Sequence, residues 1–184
     1  MPFTSNSTYG TVAYSTGTLF DSSKILANDG SSLSSATLAT QSDLSIPVGG
    51  YERVQGIYTL WYDTDTTNEL SYRIANLAQS DGSTAVATTI ATHSLASVVY
   101  TDAAVTPSAA GVECVTSYST DGAGETIGVD SGVSDAAALF LQVHFNALVT
   151  AATKGNLVLQ LANITGSAAG THLLAGSNVV WKKW

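Results

Sequence analysis

Alternation is the dominant pattern along the chain. Leu139, Leu141, Val143, Phe145, Ala147 and Val149 share one parity, and Phe140, Gln142, His144, Asn146 and Leu148 share the other. Successive side chains of a strand point to opposite faces, so Leu139–Val149 predicts a strand with one apolar face and one mixed face. Glu69–Ala75 repeats the pattern, with Leu70, Tyr72 and Ile74 opposed to Ser71 and Arg73. Tyr51–Tyr62 is the next candidate, carrying Val54, Ile57, Thr59 and Trp61. Ala36–Ile46 precedes it, and Pro47 with Gly49-Gly50 is expected to end it. Shorter strands are predicted over Thr84–Ile90, Leu95–Thr101, Val112–Ser119, Leu157–Leu161 and Leu173–Lys182. Turn chemistry separates them: Asp63–Asn68, Asp81-Gly82, Asp121–Gly124, Asp130–Gly132, Thr153–Asn156 and Ala175-Gly176-Ser177. Helix signals are nearly absent, because Lys, Glu, Arg and Gln are scarce and Leu keeps no 3.6-residue spacing. About eight short strands with frequent turns predict an all-β fold, a jelly-roll-like antiparallel β-sandwich.

Residues 1–35 break the pattern. They are rich in Ser, Thr, Gly and Asn, with short apolar pieces at Val12–Tyr14, Leu19–Phe20 and Ile25–Leu26. We read them as an extended N-terminal arm with short strands, and residues 36–184 as the sandwich domain. Phe3, Tyr9, Tyr14 and Phe20 are interface candidates within the arm, since an aromatic side chain offsets the cost of ordering only when it is buried.

Composition sharpens the picture. Hydrophobic residues make up 45% of the 184 positions but charged residues only 11%, against about 25% in an average domain. Fully buried interface cores are depleted in charge, so much of this surface is expected to be covered by other subunits. The formal net charge of −8 and the lack of any cluster of three basic residues exclude a nucleic-acid face. No stretch approaches the roughly 18 apolar residues of a membrane helix. The start, Met-Pro-Phe-Thr-Ser-Asn, lacks the charge and apolar run of a secretory signal, so synthesis in the cytoplasm is expected.

Candidate chemistry is thin. Cys114 is the only cysteine, which rules out an intrachain disulfide and a multi-cysteine zinc site. His93, His144 and His172 lie far apart in sequence, with no pair at metal-ligand spacing. His144 reads as a hydrogen-bonded sheet histidine, and His93 and His172, near predicted loops, as facing solvent or an interface. There is no Gly-x-Ser-x-Gly elbow, phosphate loop or dinucleotide fingerprint. No enzyme activity and no cofactor are expected. Asp63-Thr64-Asp65-Thr66-Thr67-Asn68-Glu69 is oxygen-rich enough to suggest Ca²⁺, but the turn glycine of an EF-hand is missing and Ile74 stands at the twelfth position, so a solvated turn is the plainer reading. Arg53 and Arg73, the only arginines, are interface candidates because arginine often anchors interfaces. Trp181 and Trp184 flank Lys182-Lys183, as either a last core strand or a docking tail with Trp184 as anchor. Tyr58, Trp61 and Tyr62 would suit a sugar-stacking platform, which makes a carbohydrate-binding module the main alternative outside virions.

The order Asp43-Leu44-Ser45-Ile46-Pro47-Val48-Gly49-Gly50-Tyr51, followed by Leu60-Trp61-Tyr62, resembles small bacteriophage virion proteins, in which a strand, a short turn and a Tyr-containing strand open a jelly roll. Asn68-Glu69-Leu70 looks like the segment that follows there. Leu141-Gln142-Val143-His144-Phe145, Gly155–Ala162 and Leu174–Val179 are similar to the closing strands of that group. The likeness covers residues 40–75 and 139–181 and leaves 80–138 unmatched. It implies a homotrimer on a phage particle, bound to the major capsid protein or another virion protein. The role would be capsid decoration (cement), with the arm lying across the shell, or a part of a tail or fibre.

Overall fold

A computed structural model describes residues 20–64, 70–98, 113–119, 125–127, 139–163 and 171–184. The alternating runs become strands, all paired antiparallel: β1 (Ser22–Ile25), β2 (Ala39–Val48), β3 (Arg53–Thr64), β4 (Leu70–Ala78), β5 (Thr88–Val98), β6 (Glu113–Ser119), β7 (Glu125–Ile127), β8 (Leu139–Val149), β9 (Gly155–Asn163), β10 (Thr171–Leu173) and β11 (Asn178–Lys183). No helix occurs among the described residues.

Two sheets form. The smaller has the order β2-β9-β4-β7, and the larger β1-β11-β3-β8-β5-β6, with β10 also paired to β3. The pairings β2 with β9, β3 with β8, β4 with β7 and β5 with β6 are nested like one long hairpin. Folding that ribbon over itself gives a jelly roll, so the expected all-β, jelly-roll-like sandwich is what the chain adopts. Strands β1, β10 and β11 extend the larger sheet beyond β3.

The core lies where the apolar faces of the two sheets meet. From the larger sheet come Tyr58, Leu60, Tyr62, Leu141, Val143 and Phe145; from the smaller come Leu44, Ile46, Leu70, Tyr72, Leu157, Leu159 and Leu161, all buried. Each large apolar side chain removed from water contributes about 1.5–3 kcal/mol. Tyr58 and Phe145 contact each other with ring centroids 5.4 Å apart. Gly56 sits opposite Phe145 in register. A Cβ there would stand 2.5 Å from the Val180 carbonyl oxygen and 2.6 Å from Phe145 Cζ, so only glycine leaves room for the ring.

Several expectations shift. Pro47 does not end its strand: β2 continues to Val48, with Pro47 opposite Asn156. β2 is an edge strand, where a missing N–H is tolerated. The expected strands Thr84–Ile90 and Leu95–Thr101 are replaced by one strand, β5, whose eleven residues pair in unbroken register with β8. The polar stretch Thr92-His93-Ser94 suggested a break, but backbone pairing to neighbours on both sides carries the strand through it. β7 had no clear signal. Within the segment read as an arm, β1 pairs with β11, and Leu26 and Leu33 join the core cluster.

Candidate functional site

Among the described residues the exposed large apolar side chains are Ile25, Tyr51, Leu148 and Trp184, and three of these four gather at one end of the sandwich. That end is built by the β2–β3 turn, the end of β8 and the residue after β11. Arg53 ties the three together. It opposes Leu148 in register, follows Tyr51 by two residues, and exchanges backbone hydrogen bonds with Trp184: Arg53 N–H to the Trp184 carbonyl at 3.2 Å, and Trp184 N–H to the Arg53 carbonyl at 3.1 Å. Tyr51 is 71% exposed, Trp184 56% and Leu148 41%, and Arg53 is exposed as well.

The backbone under this cluster is fixed. Tyr51 has φ of 57°, in the left-handed region that bulky residues avoid. Such strain persists only where the surroundings over-determine it, and here they do. Tyr51 N–H donates to the Ala151 carbonyl at 3.0 Å. Val149 N–H donates to the Glu52 carbonyl at 2.9 Å. The Glu52 carboxylate accepts from Gly49 N–H at 2.7 Å and pairs with Lys183 Nζ at 3.2 Å. An exposed Tyr, Trp, Leu and Arg therefore stand on a rigid platform with a Glu–Lys pair beside them. Binding there loses little backbone freedom, and aromatic rings and a guanidinium supply most interface hot spots.

The candidates named from the sequence separate clearly. Arg53 and Trp184 come together, and Trp181 does not join them. Trp181 is a core residue, so the two readings of the C-terminus split between its two tryptophans. Phe20 lies at a hollow on the outer face of the larger sheet. Arg73 is half-buried on the outer face of the smaller sheet, opposite Gln160, with its Nε buried and without a hydrogen-bond partner. Phe3, Tyr9 and Tyr14 lie outside the described residues.

The sugar-stacking platform is overturned. Residues 58 and 62 share parity with each other and oppose 61, so Tyr58 and Tyr62 are buried in the core while Trp61 faces outward. Trp61 packs on Phe140 with ring centroids 4.9 Å apart. Burial pushes the Tyr58 and Tyr62 hydroxyls well above the ordinary tyrosine range. Of the oxygen-rich run, Asp63 is described, and its carboxylate holds both the backbone N–H and the Nδ1 of His172 at 3.0 Å; residues 65–69 lie outside the described residues. His172 is thus a strand residue of β10 held by Asp63. His93, expected near a loop, lies in the middle of β5. The side chain of Cys114 lies outside the described residues.

Sequence reading missed Tyr51 and Leu148. Tyr51 was visible in the Gly49-Gly50-Tyr51 turn, and Leu148 as one of two apolar members, with Phe140, of the mixed face of β8. Their convergence depends on strand order, which no local pattern encodes.

No protein-family model and no curated protein matches the chain. Among solved structures it is similar to a chain in the structure of the infectious bursal disease virus Gx strain, at 14% identity over 89% of this chain, with a TM-score of 0.23. It spans 41% of that chain's length. A likeness at this level carries no inference about function.

Proposed function

We propose that this chain is a non-catalytic structural protein of a bacteriophage virion, a capsid decoration protein that binds the outside of the shell as a homotrimer. On this reading it is made in the host cytoplasm, and its partners are its own copies and the major capsid protein or another virion protein. The observation that carries the reading is the pinned cluster of Tyr51, Arg53, Leu148 and Trp184, a ready contact surface on a molecule with little surface charge. The sequence blocks that resemble phage virion proteins support it. Asp43–Val48 and Gly155–Ala162 fall on the paired strands β2 and β9, and Leu60–Tyr62 and Leu141–Phe145 on β3 and β8. Segments far apart in sequence thus form one framework. The fold alone does not decide between roles, since jelly rolls also serve in lectins and cupins.

Stabilisation of a shell would follow from mass action. A protein that binds only the assembled particle favours it by RT ln(1 + [L]/Kd), and three linked binding surfaces raise the effective affinity without new contacts. The test is to mix the purified chain with virions of the phage that encodes it, stripped of their own copies. The expected result is co-sedimentation, a trimer by light scattering, and a higher temperature of particle disruption. Trp184→Ala combined with Arg53→Ala should abolish binding or trimerisation while leaving the β-sheet circular dichroism unchanged. A folded monomer that ignores its own particles would refute the proposal. Attachment at the tail instead of the shell, seen by electron microscopy of labelled chain, would favour a tail or fibre component.

A further inference from the structure

Among the described residues, Ile25 is the one exposed large apolar side chain that stands apart from the Tyr51–Trp184 cluster. It is 67% exposed and sits on β1, the outermost strand of the larger sheet. Its neighbours turn away from it: Lys24 Nζ reaches the Ser45 hydroxyl at 3.4 Å, and Leu26 is buried in the core. Four residues on, Asp29 is exposed, with one carboxylate oxygen accepting from the Ala175 N–H at 2.8 Å. On the outer face of the same sheet lies the hollow of about 250 Å³, bordered by Phe20, Gln55, Ile57, Ala91, His144 and Asn146. It is continuous with the cluster. Gln55 follows Arg53 by two residues and Asn146 precedes Leu148 by two, and in register Arg53 opposes Leu148 and Gln55 opposes Asn146. Strand residues two apart share a face and lie about 6.6 Å apart, so the last row of the cluster and the first row of the hollow form one surface. That surface is cationic. Lys182 stands opposite Gln55, and Arg53 has no ion pair among the described residues.

We infer that Ile25 of one copy of this chain seats in the hollow of a second copy, with Asp29 of the first facing Arg53 of the second. The inference rests on the reading that the chain assembles with itself through the Tyr51–Trp184 surface, and it names the surface that meets that one. A ring of three needs two unlike patches on every copy, because a self-complementary patch closes at two. The cluster with its hollow is one patch, concave and cationic. The segment from β1 to Asp29 is the other, a projecting apolar side chain followed by a carboxylate. Shape and charge are thus complementary, which favours and orients the contact. Reach agrees as well: Asp29 lies at most about 14 Å from Ile25 along the chain, and Arg53 is two strand residues from the rim of the hollow. Within its own chain Ile25 opposes Asn178, and β11 stands between β1 and β3, so a second copy is the source of the side chain.

The test uses the full chain, with its association state read by light scattering. A photoreactive benzoylphenylalanine placed at position 25 should, on irradiation, give covalent dimers on a denaturing gel. Peptide mapping should link position 25 to the segments holding Gln55 and Ile57, Ala91, or His144 and Asn146 of another copy. Ile25→Asp should weaken self-association roughly 10-fold or more, the loss expected at an interface anchor, with the β-sheet circular dichroism unchanged. Arg53→Asp should also weaken it, and Arg53→Asp combined with Asp29→Arg should restore part of the loss. A trimer whose links from position 25 fall elsewhere, or one that Ile25→Asp leaves intact, overturns the inference and leaves the trimer standing. A charge exchange that restores nothing overturns the pairing of Asp29 with Arg53. A dimer carrying the expected links upholds the contact and overturns the trimer. A chain that stays monomeric overturns both.

Discussion

At the scale of single residues, close approach controls what the sandwich accepts. Gly56 is a small gap in a row of large residues, between Trp181 and Phe145. An added methyl would meet a backbone oxygen, which cannot swing aside, as well as the Phe145 ring. Gly56→Ala should therefore destabilise by about 3 kcal/mol, the upper end of the range for overpacking, read as a lower urea midpoint at unchanged slope. Tyr58 and Tyr62 make a second case. Both hydroxyls are raised well above the ordinary value of 10.0 by loss of hydration. A folded-state pKa raised above the unfolded one gives stability that is complete below pH 10 and lost as pH rises beyond it. An absorbance titration near 295 nm should show some of the eight tyrosines ionising progressively. Tyr58 and Tyr62 should ionise only in step with the loss of far-ultraviolet strand signal. Their ionisation in an intact sheet would contradict the burial.

At the scale of elements, the sequence revealed strands better than their partners. β8 was legible to the residue, because one parity is apolar at every position from Leu139 to Val149. The turn before β11 was legible too. Gly176 takes φ of 90°, and Ser177 N–H bonds the Leu174 carbonyl at 3.2 Å, as Ala175-Gly176-Ser177 suggests. β5 was not, because Thr92-His93-Ser94 has loop composition and only its two strand neighbours hold it extended. The β4–β5 connection gives a prediction at this scale. The Asp81 carboxylate accepts from the Thr84 hydroxyl and from the Thr84 and Ser83 N–H groups at 2.9 Å. These bonds, the Thr84 hydroxyl first, hold its carboxyl at about 2, below the ordinary 3.8. A lowered pKa gives turn stability that is present above 3.8 and lost as pH falls toward 2. Amide exchange at Ser83 and Thr84 should accelerate across that window while β4 and β9 stay protected. Asp81→Ala should give the same fast exchange at pH 7.

At the scale of the whole molecule, the nested order of β2 to β9 brings distant parts of the chain to shared surfaces. The β2–β3 turn, the end of β8 and the residue after β11 meet at the Tyr51–Trp184 cluster, while arm residues 20–35 run along the edge of the larger sheet. This arrangement determines how the arm's part in assembly must be tested. Cutting after residue 35 removes more than an arm. It strips β1 from β11, deletes the core residues Leu26 and Leu33, and breaks the Leu26-to-Ser177 and Gly30-to-Leu173 backbone bonds, each 2.7 Å. Two buried leucines at about 1.5–3 kcal/mol each are a large share of a typical domain stability of about 5–15 kcal/mol. A chain lacking residues 1–35 should unfold at a much lower temperature than the full chain. A chain lacking residues 1–19 keeps every described contact and should unfold at a higher temperature than the chain lacking residues 1–35. If the proposed trimer is held by the Tyr51–Trp184 surface, the 1–19 deletion remains trimeric by light scattering. Its binding to virions then isolates what the first nineteen residues add. A monomer at undiminished stability would move the self-association surface into those residues. Equal stability of the two truncations would mean that β1, Leu26 and Leu33 contribute no net packing energy, contrary to their place in the core.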